Sequence, residues 1–151
     1  MVDSFIKQRA LRERTLDSCV PKLWHEIGTM LDNCCTDFNA EYSNIGEMGN
    51  SPENGHRVIV TLTFADPHRK IAYVQFQLDE SAPRISVTAN NITKQFPIDA
   101  QGTDCFIKSP TGEKLTVYDF AKVALEDVLF KPAATPRVQV RGGSAPRGPY
   151  N

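Results

Sequence analysis

The hydrophobic period of this chain changes twice. It is helical over residues 20–42, alternating over 57–98 and helical again over 117–130. A helix rotates 100° per residue and a strand 180°, so a segment patterned for one cannot bury its apolar side as the other. The order helix, strands, helix is therefore imposed before any fold is considered.

Over residues 20–42, Val20, Leu23, Trp24, Ile27, Leu31, Cys35 and Phe38 share an arc of about 140°, while Lys22, His25, Thr29 and Asp32 lie outside it. Pro21 suits the first turn of such a helix, with Asp17 or Ser18 as its N-cap. Residues 3–16 are rich in Arg, Lys, Gln, Leu and Ala and predict a separate, loosely docked helix with poorly segregated faces. That scatter argues against a membrane-binding amphipathic helix. Residues 43–55, with three glycines, a proline and three asparagines, read as a loop.

Four strands follow at 57–64, 71–78, 84–89 and 92–98, and a short fifth at 104–108. Val58, Val60, Leu62, Val74, Phe76, Leu78, Ile85 and Val87 fall on one side by alternation. Asn90-Asn91 suits a two-residue hairpin turn because asparagine tolerates positive φ, and residues 99–104 read as another hairpin turn. Thr116 with Asp119 forms a capping box at the start of the helix over 117–130, which Lys131-Pro132 ends. The expected class is α+β: an antiparallel meander of four or five strands, covered on one face by the long helix and the C-terminal helix.

That leaves one face of the sheet without a helix. It carries Thr61, Thr63, Tyr73, Gln75 and Gln77, with Ser86 and Thr88, a polar surface suited to water or to a partner. These residues are the candidate binding site. An exposed meander edge can also pair with its symmetry mate, so self-association belongs to the same reading.

A chain of 151 residues with 40% apolar side chains is long enough for one core, assigned here to residues 1–130. The formal net charge of −1 divides into −5 over residues 1–130 and +4 over 131–151, where Lys131, Arg137, Arg141 and Arg147 meet no acid. This proline- and glycine-rich segment has little to bury and is expected to be a disordered tether. Arg137, Arg141 and Arg147 leave open a weak, salt-sensitive association with nucleic acid, although the rest of the chain is acidic.

No run of apolar residues suits a secretory signal or a membrane span, so a cytoplasmic protein is expected. Cys19, Cys34, Cys35 and Cys105 lack the spacing of a zinc grip and read as buried thiols. Phosphate-loop, dinucleotide, nucleophile-elbow and zinc-peptidase motifs are missing, and no catalytic residue, metal or cofactor is assigned. The leading expectation is a small non-enzymatic binding or adaptor domain. Its alternative is a ligand-binding protein or enzyme with a pocket between sheet and long helix, built on His56 or His68 with Asp66.

Overall fold

The computed structural model describes residues 4–130. The basic segment over 131–151, with Arg137, Arg141 and Arg147, lies outside the described residues. In chain order the elements are α1 (Phe5–Glu41), β1 (Gly46–Asn54), β2 (Arg57–Phe64), β3 (Ala72–Asp79), β4 (Arg84–Ala89), β5 (Ile92–Gln101), β6 (Asp104–Lys108), β7 (Lys114–Leu115) and α2 (Val117–Phe130). The class is α+β, and the strands form one antiparallel sheet in sequential order.

The two expected N-terminal helices are one helix, and its N-cap is Ser4 rather than Asp17 or Ser18. Ser4 Oγ accepts the Lys7 N–H at 3.2 Å. Pro21 sits inside this helix with its ring exposed. A proline there removes one backbone bond and costs about 3 kcal/mol relative to alanine. Leu16, Cys19, Val20 and Leu23 are buried on both sides of it, and burying such side chains at roughly 1.5–3 kcal/mol each outweighs that cost.

Residues 43–55 are not a loop, because Gly46–Asn54 pairs with β2 from Gly46 opposite Phe64 to Asn54 opposite Arg57. Its composition hides it: Met48 is its one large apolar side chain, 2% exposed. A Cβ on Gly46 would stand 2.4 Å from the Thr63 carbonyl oxygen, so the close approach of β1 to β2 requires glycine at this position. With β1 and the two-residue β7, the strand count rises from four or five to seven. β5 also runs past Ile98 to Gln101, changing partner from β4 (Pro97 opposite Arg84) to β6 (Ile98 opposite Ile107). Asn90 and Asn91 turn the β4–β5 hairpin at φ 54° and 65°, as expected.

Both helices pack on the same face. Phe120, fully buried on α2, meets Phe76 edge-on at 5.9 Å and Phe96 at 5.0 Å, joining the helix to β3 and β5. α1 contacts both β1 and β6. Near its start Arg12 binds Asp99 on β5 at 2.8 Å, and near its end Asn39 binds the Met48 backbone. Thr116 Oγ1 accepts the Asp119 N–H at 3.0 Å, the cap expected for α2.

Candidate binding face

Alternation in β2 to β4 turns Val58, Val60, Leu62, Val74, Phe76, Leu78, Ile85 and Val87 into the core. The intervening residues form the uncovered side, and the register arranges them in rows. Thr61 stands opposite Tyr73, Ile59 opposite Gln75, and Arg57 opposite Gln77. Across the next pair, Gln75 stands opposite Thr88 and Gln77 opposite Ser86. Four of the five predicted residues, Thr61, Tyr73, Gln75 and Gln77, therefore share one patch on adjacent strands. Thr63 lies at its margin, opposite Glu47 and beyond the last paired residue of β3.

Much of this face satisfies itself sideways. Arg57 Nε donates to Gln77 Oε1 at 2.9 Å, Ser86 Oγ donates to Gln95 Oε1 at 2.7 Å, and the hydroxyls of Thr88 and Thr93 lie 2.8 Å apart. Gln77 is thus held by its neighbour. The side chains of Thr61, Thr63, Tyr73 and Gln75 have no polar partner among the described residues. Tyr73 is 57% exposed and Ile71 45%. Tyr73, Gln75, Ile59, Ile71 and the Asn90-Asn91 turn border a shallow depression of about 450 Å³. Its mixture of an aromatic ring, aliphatic carbons and unpaired amide and hydroxyl groups is suited to holding another surface, since those groups lose nothing already made within the chain.

Sequence reasoning missed the guard on the outer edge of the sheet. Asn39 Nδ2 donates to the Met48 carbonyl at 2.9 Å while its Oδ1 accepts the Met48 N–H at 2.8 Å. The Gly46 N–H reaches the Tyr42 carbonyl at 3.3 Å, and Pro52 has no N–H to offer. No local pattern signals this: Asn39 reads as an ordinary helix residue, and its partner is hidden in a segment with no strand pattern.

The histidines are dispersed. His25 is exposed on α1. His56 Nε2 lies 3.0 Å from Glu80 Oε1 at the surface. Asp66 accepts the peptide N–H of His68 at 2.9 Å, so its carboxylate shapes the turn between β2 and β3. A cleft of about 580 Å³ between the first half of α1 and the β3–β4 turn is lined by Arg9, Arg12, Asp17, Pro21 and Glu80, and by no histidine. Its cations are already matched, Arg9 with Glu13 at 3.2 Å and Arg12 with Asp99.

Burial pushes the thiols of Cys34, Cys35 and Cys105 up. Cys35 rises to about 11, with Cys34 and Asp32 adding to the effect. Cys105 rises to about 12 through burial and a hydrogen bond with Cys19. Among the described residues, no three His, Cys, Asp or Glu side chains are grouped to hold a metal, and no helix is long and apolar enough to cross a membrane. Compared with protein-family models, curated proteins and solved structures, the chain matches none.

Proposed function

We propose that this chain is a small non-enzymatic binding domain that recognises a protein partner through the uncovered face of its sheet, centred on Tyr73 and Gln75. The observation that carries this reading is the group of unpaired polar side chains, Thr61, Tyr73 and Gln75, around exposed apolar carbon on a sheet whose other face is filled by α1 and α2. The blocked Met48 edge favours the face over the edge: a strand added beside β1 would first have to displace Asn39. Four free cysteines, two of them buried, support a reducing, cytoplasmic setting for this role.

A photo-crosslinking residue tests the proposal when placed at Tyr73 in the full chain, and at Thr29 on the outer side of α1 as a control. A heterologous protein adduct from position 73 and none from position 29 is the expected result. Equal adducts from both, or none from 73, overturn the proposal. A chain-to-chain adduct at 73 replaces the heterologous partner with a second copy.

A further inference from the structure

We propose that residues 131–151 fold back onto the groove between α1 and α2 of the same chain, making that groove an intramolecular docking site for a basic, proline-punctuated segment. The groove holds about 230 Å³ and is lined by Cys34 from α1 and by Tyr118, Ala121, Leu125, Leu129 and Phe130 from α2, with Lys122 and Glu126 on its rim. It is open and apolar, with Tyr118 64% and Phe130 49% exposed.

Its electrostatics select the occupant. Tyr42, the C-cap of α1, meets Phe130, the last residue of α2, edge-on at 5.4 Å, so the two helix C-termini converge at one end of the groove. Each terminus carries about half a negative charge from its aligned peptide dipoles, and neither helix has a basic residue in its last turn. Asp37 and Glu41 on α1 and Glu126 on α2 add carboxylates there. None of the three forms an ion pair among the described residues. Asp37 stands close enough to Cys34 to raise its thiol further, beyond the effect of burial.

The neutralising charge lies next in the chain. Phe130 lines the groove and is followed by Lys131, and residues 131–151 carry +4 with no acid. From Phe130 back to Tyr118 the helix spans about 18 Å, and six extended residues cover about 20 Å. The 21 residues after Phe130 are thus more than long enough to cross the groove and turn back, which brings Val138 and Val140 onto its apolar lining with Arg137 and Arg141 toward the carboxylates at its Phe130 end. The groove belongs to the helical layer, on the opposite side from the sheet face, so this inference stands apart from the proposed function.

The test uses the full chain with a benzophenone amino acid in place of Val138, irradiated in dilute solution and mapped by peptide mass spectrometry. Crosslinks are expected to concentrate on Cys34, Tyr42 and the stretch Val117–Phe130. The triple variant Arg137→Glu, Arg141→Glu, Arg147→Glu should lower their yield about fivefold or more, and it changes none of the described residues. Crosslinks on the Tyr73 face, none at all, or a yield indifferent to charge reversal overturn the proposal. So does a yield that rises with protein concentration, which would assign the groove to a second copy.

Discussion

The side-chain amide of Asn39 holds the peptide of Met48 from both ends, donating to its carbonyl at 2.9 Å and accepting its N–H at 2.8 Å. The amide thus stands where another strand would stand, and α1 closes the edge of the sheet with a side chain. Asn39→Ala leaves both Met48 groups without their partner and is expected to cost about 1–3 kcal/mol. Urea denaturation measures it. The same variant should self-associate at concentrations where the parent does not, because the edge is then open; sedimentation velocity reads this directly.

Phe120 locks α2 to β3 and β5 through Phe76 and Phe96. Phe120→Ala should lose about 3–5 kcal/mol, a large share of the 5–15 kcal/mol typical of a folded protein. Phe120→Leu, which keeps most of the volume, should cost under about 1.5 kcal/mol. Equal losses in thermal unfolding would mean that the ring is not packed as described.

Acid stability should depend on Asp99. Burial pushes its carboxyl up, but the Ala100 N–H, Arg12 and Lys108 together hold it below the ordinary aspartate value. Folded Asp99 then binds a proton more weakly than the unfolded chain does. Its contribution is complete above the ordinary range near pH 4 and disappears as pH falls through the lower folded-state value. Asp99→Asn should flatten this limb of stability against pH and leave the neutral limb parallel to the parent's. Arg12→Gln, which removes one of the three supports, should flatten it in part. Equilibrium unfolding across the acid range distinguishes these outcomes.

Pro21 invites the opposite experiment. Pro21→Ala restores an N–H to the interior of α1 at an exposed position and should stabilise the chain by up to about 3 kcal/mol, seen as a higher midpoint in urea. A loss instead would show that the proline ring in the α1 cleft is itself supported by packing.

Thiol chemistry should follow burial. With Cys35 near 11 and Cys105 near 12, Cys105 at pH 8 has about a thousandfold less thiolate than an ordinary cysteine. Alkylation followed by mass spectrometry should leave both unmodified in the native chain and modify both in denaturant.

What the sequence discloses tracks how local each cause is. The α2 helix is legible because its cap, Thr116, and its apolar stripe lie beside and within its own residues. The uncovered face is legible because period two separates Tyr73 and Gln75 from Val74 and Phe76 without reference to any partner. The continuity of α1 through Pro21 is not, since it depends on the sheet that buries Leu16 and Leu23 together. Nor is β1: Gly46–Asn54 becomes a strand through β2 beside it and Asn39 across from it. Which candidate side chains remain unpaired was likewise hidden, because it depends on cross-strand register. That register ties Gln77 to Arg57 and leaves Gln75 open.

The helix that touches both β1 and β6 is made before either. On the ribosome the apolar stripe from Leu16 to Phe38 precedes Ile107, a fully buried core residue of β6, by about 70 to 90 residues, or roughly 5 to 20 s at ordinary synthesis rates. For that interval the nascent chain presents a long amphipathic helix whose cover from β6 and α2 has not yet been made. Substitutions on the stripe should therefore be felt in yield as well as in the stability of the finished fold.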